Sequence, residues 1–349
     1  MTPEIRQSLL EAARLAPSAD NSLPWRYRWN NEVLELWIDP ARSGGFSDAR
    51  YVLSDLAIGT CIENIAVQAL TLGYTAAADY LPDAADPLLA ARLTFNQAEE
   101  PGTADLAEAI PQRHTNRSFP WSGPVSDETK QRISAELDAI PGTSLTWIEK
   151  GPQRRTALKA IWKAESLRFR NKELHQELFS SIRFDIGRKG NCNEGLPPAA
   201  LAVEAFMWPI FKQLRHWPVM RLFNLLGGMN IIGFRSAVLP CLLSPELCLL
   251  SVDNTDRPSL IQAGRALERV WLRATAEGLA MQPFAAAGIL SLGFIEIENS
   301  QTAQNAAIRH LLEDVADKKQ GVIFLRLGIS SQPADVTSGR RSINSLKKQ

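Results

Sequence analysis

The chain has 349 residues, 45% of them hydrophobic and 22% charged, and its 38 Lys+Arg are balanced by 38 Asp+Glu. This is the composition of a folded chain of about two domains or one large α/β unit, and the zero net charge lacks the basic excess typical of nucleic-acid binders. Cys61, Cys192, Cys241 and Cys248 form no CxxC pair and read as buried, reduced thiols of a cytoplasmic protein. Residues 4–16 carry Leu9, Leu10, Ala13 and Ala16 at helical spacing, and Pro17 ends the helix. A loop, PSADNSLPW, leads into an alternating stretch, 25–39, that turns at Asn30-Asn31 as a hairpin. A helix is expected over 53–73, apolar on most sides and therefore buried, then a strand over 89–96 and a linker over 97–105.

The second half opens near Leu106. It reads as a helix at 126–138, a strand at 143–149 and a charged helical region at 153–182. The stretch 196–230 is apolar but is broken by Pro197, Pro198, Glu204, Pro209, Lys212, Arg215, His216, Pro218 and Arg221. A membrane span needs about 20 mostly apolar residues. The stretch reads instead as short helices over an apolar pocket or as a partner surface. Strands are expected at 236–243, 247–252, 289–296 and 320–327, with a long helix over 258–278. The polar tail, 330–349, is expected to wrap across a surface.

An internal repeat organises the chain. IGTCIENIAVQALTLGYTAA (58–77) aligns without gaps on AGRALERVWLRATAEGLAMQ (263–282), matching Gly59 with Gly264, Glu63 with Glu268, Ala69 with Ala274 and Gly73 with Gly278. Two Ala-rich helices share some letters by chance. As a true duplication, it implies a pseudo-two-fold pair of halves packed through these helices.

Four segments can carry chemistry. In 13–25 a helix ends in a loop where Ser18 and Asn21 offer uncharged donors and acceptors to the edge of a flat ring, although Ser, Asn and Pro also make ordinary turns. Arg113-His114-Thr115-Asn116-Arg117 can cradle a phosphate or ring carbonyl, or be a solvated turn. Gly339-Arg340-Arg341-Ser342 is a phosphate clamp if the tail folds back. The small residues of 278–288 would let a backbone N–H approach a ligand closely. No catalytic triad, metal-ligand cluster, P-loop or GxGxxG is found.

In this order the segments resemble the nitroreductase superfamily. LLEAARLAPSADNSLPWRY is similar to its helix–APSxxNxQPW–strand motif, with Leu23 in place of Gln. RHTNRSF is similar to R-x-S-x-R-x-F, with Thr115 for Ser. GLAMQPFAAAG and LRLGISSQPADVTSGRRS resemble the later flavin-facing and basic segments. The resemblance implies an α+β, nitroreductase-like fold of two related halves in one chain, a pseudo-dimer, with 1–105 the first half and 106–349 the second, carrying a helical lid insert at about 190–235. Family members are usually homodimers that hold FMN between subunits. Here the PSADN loop lies in the first half with no Arg motif before it, and RHTNR opens the second, as in the fused, Acg-type branch, so one complete site is expected. By motif, Pro17, Ser18 and Asn21 would contact the isoalloxazine. Arg113, Thr115 and Arg117 would bind the flavin from the second half, and Pro283, Ala285 and Ala286 would lie by the ring. Arg340 and Arg341 would hold the phosphate.

The function so implied is an FMN-dependent oxidoreductase acting on a small-molecule substrate, with NAD(P)H an open choice of electron donor. FMN storage without turnover and a flavin-free partner-binding module are the alternatives. No nucleic acid, membrane span or metal is expected. A monomer and a homodimer are both compatible with a fused site.

Overall fold

The computed structural model describes residues 1–99, 104–331 and 336–348. Part of the expected 97–105 linker and of the segment before the basic pair therefore lies outside the described residues. Two four-stranded antiparallel sheets build the molecule. The first contains β1 (Trp25–Asn30), β2 (Val33–Ile38), β3 (Tyr74–Tyr80) and β4 (Leu89–Gln97) in the order β1-β2-β4-β3. The second contains β5 (Thr143–Trp147), β6 (Glu246–Val252), β7 (Ala280–Phe284) and β8 (Gln320–Gly328) in the order β5-β6-β8-β7. The two orders are the same permutation, and in each half a 20-residue helix joins the second strand to the third. The architecture is α+β, as the sequence implies.

Those helices, Val52–Thr71 and Arg257–Ala276, pack on one another at the centre. The repeat explains how. A β-carbon at Gly59 would overlap the Ile261 carbonyl, and one at Gly264 would overlap the Leu56 carbonyl, so each glycine admits the partner backbone at the equivalent point. The neighbouring side chains are exchanged: Leu56 packs into the second half's core and Ile261 into the first's. Asp55 and Arg257 add a bidentate ion pair across the helices, at 2.8 Å from both nitrogens.

The halves differ in their connections. β1 and β2 are joined by a tight turn with Asn31 at φ 52°, whereas β5 and β6 are joined by the excursion 148–245. That excursion holds helices Pro152–Arg170, Lys172–Ser181, Trp208–Leu214, Trp217–Leu225 and Gly228–Gly233. Two expected strands are helical. Residues 236–243 continue the helical run through Leu239–Leu242, and a π-helical turn, Phe234–Val238, precedes Pro240. Most of 289–296 belongs to helix Ala286–Ser291 and the turn after it, and Gly288 there packs against the Val322 carbonyl. No single helix among the described residues is long and apolar enough to cross a membrane. The tail returns to the first half: Ile343 and Leu346 enter its core, and the Lys348 N–H donates to the Tyr27 carbonyl at 2.8 Å. All four cysteines are buried and free of disulfides.

Candidate functional site

The site begins where the first helix, Pro3–Arg14, stops. The loop beyond it is tied at several points. Thr60 of the central helix donates to the Pro17 carbonyl at 2.8 Å, and Ser18 Oγ accepts from the Leu23 N–H at 2.9 Å. Asp20, Asn21 and Leu23 have φ of 51°, 57° and 46°. The left-handed region costs a residue like leucine about 1–2 kcal/mol, which the complete burial of Leu23 and the Ser18 bond offset. The turn turns Asn21 inward. Its amide donates to the Gly195 and Gly339 carbonyls at 3.3 and 3.1 Å, and its Oδ1 accepts from Arg340 at 2.8 Å. One first-half amide thus pins both the insert and the returning tail.

The second wall is the segment 113–118. The Asn116 N–H donates to the Met281 carbonyl at 3.1 Å, beside β7. Arg326, wholly buried on β8, donates to the Ser118 carbonyl at 2.8 Å and to Gln282 at 2.9 Å, and lies 3.8 Å over the Trp121 ring. It fastens the segment to the sheet, and burial pulls its pKa down to about 10.

Between these walls lie three adjoining cavities of about 180, 200 and 260 Å³ that share Arg117. Together they reach the ~300–1,000 Å³ range of small-molecule sites. The polar compartment contains Pro17, Ser18, Asn21, Arg113, His114, Thr115, Arg117 and Arg340. The apolar one contains Pro283 and Ala285 with Phe169, Phe211, Ile232 and Phe284, so the insert and its supporting helices cover the end of β7. Two motif residues stand apart. Arg341 donates to the Ser345 carbonyl at 2.8 Å and lies 3.9 Å from Glu194. Ala286 starts the helix after β7 and packs on the second core.

The electrostatics centre on Glu268, wholly buried on the second central helix. Arg113 Nε lies 2.9 Å from its Oε1, but the approach is too bent for a hydrogen bond. Both Glu268 oxygens, Arg113 Nε and Arg340 Nε are therefore buried without a hydrogen-bond partner. Burial raises the Glu268 carboxyl to about 7 despite Arg113 and Arg340. Burial, with Arg113 beside it, lowers Arg340 to about 9. The pseudo-equivalent Glu63 is closed off: Arg265 and Arg269 donate to its two oxygens at 2.8 and 2.5 Å. A buried polar group without a partner calls for an explanation, and a ligand atom is one. Two guanidinium groups against one half-protonated carboxyl suit an anion or an electron-rich ring edge.

Sequence reading passed over Glu268 and Asp20. Glu268 was visible as a charge in mid-helix of a buried repeat. Asp20 sits inside the PSADN loop and lines two of the three cavities. Burial raises its pKa although Arg168 and Arg117 lie near.

Fold and site together define an α+β protein of two topologically equivalent halves with adjoining, arginine-lined cavities between segments of the two. No family model matches the chain. It is 28% identical over 291 residues, 80% of each chain, to a Mycobacterium tuberculosis protein provisionally named NAD(P)H nitroreductase acg. It is 27% identical over 284 residues, 80% of this chain and 76% of the other, to the similarly named Rv3131 of the same species. A third M. tuberculosis relative, uncharacterized protein MT1398, is 23% identical over 95% of this chain, which spans about half (46%) of that relative's length. Among solved structures, the FMN-dependent nitroreductase NfnB of Mycobacterium smegmatis, in complex with NADPH, is similar at 16% identity and TM-score 0.41, over 70% of this chain and 98% of that one. In sequence the chain is thus similar to proteins provisionally named as nitroreductases.

Proposed function

We propose that the chain is an FMN-dependent oxidoreductase with one flavin site, formed between the first-half loop 17–21 and the second-half segments 113–117, 283–285 and 337–340. The observation that carries this reading is the pair of arginines, Arg113 and Arg340, that line the polar compartment, each with a buried Nε lacking a hydrogen-bond partner, and with Glu268 buried beside Arg113. FMN offers them what they lack: a phosphate for guanidinium donors and carbonyl oxygens for N–H groups. When bound, it would supply two-electron transfer. The protein's part is to hold and orient. Arg113 and Arg340 would carry the negative charge of the ligand, with Asn21 fixing the Arg340 guanidinium. Ser18, Thr115 and Arg117 would border it, and Pro283 and Ala285 would lie on the apolar side, which Phe211 and Ile232 of the insert also line. We also propose that the fused halves divide near residue 105 and that Arg341 supports the tail rather than the ligand.

The same coverage favours a second reading, storage of FMN without turnover. One experiment separates the two. The purified protein is titrated with FMN and its visible spectrum is followed on anaerobic addition of NADPH. One FMN per chain, bleached by NADPH, is expected. A bound flavin that stays oxidised with NADPH and NADH alike supports storage, and failure to bind FMN overturns both readings.

A further inference from the structure

The insert that covers the cavity turns an unusual amount of apolar surface outward. Its inward faces are accounted for: Leu214 and Met220 pack with Phe169 and Phe179. On the outward faces of three successive short helices and the loop before them, Phe206, Leu222, Leu225 and Leu226 are 77%, 65%, 78% and 81% exposed, with Ile210 and Ile231 more than half exposed. Exposed apolar side chains concentrated in this way mark an interaction surface.

The charges say what kind. From Ala205 to Phe234 the sequence contains Lys212, Arg215 and Arg221 and no Asp or Glu. Beside this face runs an open groove of about 700 Å³ between helices Pro152–Arg170, Gly228–Gly233 and Thr302–Val315. It is lined by Lys159, Lys163, Arg170 and Trp162, again without a carboxylate. Trp162 is 40% exposed, and its ring N–H is held by the Asn230 carbonyl at 3.0 Å, so it bridges the apolar helices and the cationic groove.

We propose that this face docks on an anionic lipid surface, with the exposed leucines, Phe206 and Ile231 at the acyl boundary and the lysines and arginines among the phosphates. Apolar side chains, interfacial tryptophan and basic residues without acidic ones are the combination that lies in a bilayer interface. A second copy of the chain fits poorly, because a two-fold contact through this patch would set like charges against each other with no carboxylate between them. Spanning is also disfavoured. The longest of the three helices, Trp217–Leu225, has nine residues, about 14 Å against a hydrocarbon core of about 30 Å, and the run after it is bent away by 96°. The proposal stands apart from the flavin reading and can be tested with or without FMN.

Full-length protein is floated with vesicles of phosphatidylcholine alone and of phosphatidylcholine mixed with phosphatidylglycerol, at low and high salt. Binding is expected to the anionic vesicles at low salt, and to be about tenfold or more weaker to neutral vesicles or at high salt. Leu225→Ser with Leu226→Ser, and separately Lys159→Gln with Lys163→Gln, should each weaken it about tenfold with the melting temperature unchanged. Failure to bind either vesicle, or equal binding to both, overturns the proposal. So does self-association that the leucine pair abolishes while vesicle binding is unaffected, which would assign the face to a second copy.

Discussion

At the scale of single residues, the buried triad of Arg113, Glu268 and Arg340 sets the chemistry that the cavity can accept. Because burial lifts the Glu268 carboxyl to about 7, it is mostly neutral at pH 6 and mostly ionised at pH 8. When neutral, it leaves two guanidinium charges uncompensated and an anion is favoured. When ionised, it cancels one of them and repels the ligand. FMN affinity should therefore fall as pH rises through about 7, and Glu268→Gln should flatten that part of the profile, as read by fluorescence quenching from pH 6 to 8. A parallel fall in wild type and variant would show that Glu268 does not face the flavin. Arg340 carries a second prediction. Removing a charged hydrogen bond costs about 1.5–3 kcal/mol, so Arg340→Ala should weaken FMN about tenfold or more and riboflavin clearly less. Equal losses would take the phosphate away from Arg340. Ser18, Asn21, Arg113 and Thr115 were legible because a helix stop, a Pro-Trp closure and paired arginines lie in short stretches of sequence. Asp20 and Glu268 were harder to see. Their significance comes from burial and from partners as distant as Arg168 and Arg340, which no local pattern encodes.

At the scale of elements, the two central helices hold the halves together. Adding even a methyl at Gly59 forces it into the Ile261 carbonyl, which cannot move without displacing its helix. Gly59→Ala should lower stability by about 1–3 kcal/mol or more, seen as a reduced urea midpoint. An unchanged midpoint would mean that the helices are not in close contact. This pairing could be read from the repeat, whose matched glycines fall where the backbones cross. Other elements were less visible. β3, Tyr74–Tyr80, is an edge strand with three consecutive alanines, and alanine favours helix over sheet. At 236–243 and 289–296, short apolar runs fit a buried helix as well as a strand, and length and tertiary packing decided for helix.

At the scale of the whole molecule, the equivalence of the halves is topological but not chemical. One buried glutamate, Glu63, is neutralised by Arg265 and Arg269, while the oxygens of its counterpart Glu268 lack a hydrogen-bond partner beside Arg113, which lines the cavity. Flavin should accordingly saturate at one molecule per chain by calorimetric titration, and a stoichiometry of two would show that the Glu63 end also binds. The tail adds to the asymmetry. It leaves the second sheet, delivers Arg340 to the cavity and ends in the first half's core through Ile343 and Leu346. Its amino acids forecast a surface wrap. The long-range bond from Arg340 to Asn21 that gives the wrap its purpose depends on the assembled fold.

The paired strand orders also bear on how such a molecule can be altered. The short turn at Asn31-Glu32 occupies the same topological slot as the excursion 148–245. One sheet of this permutation already tolerates about a hundred residues at that slot, and lengthening a surface loop adds closure entropy only slowly, about 0.6 kcal/mol per doubling. The hairpin is thus the natural graft point of the first half: a foreign domain spliced between Asn31 and Glu32 would leave the sheet register, the central helices and the cavity undisturbed.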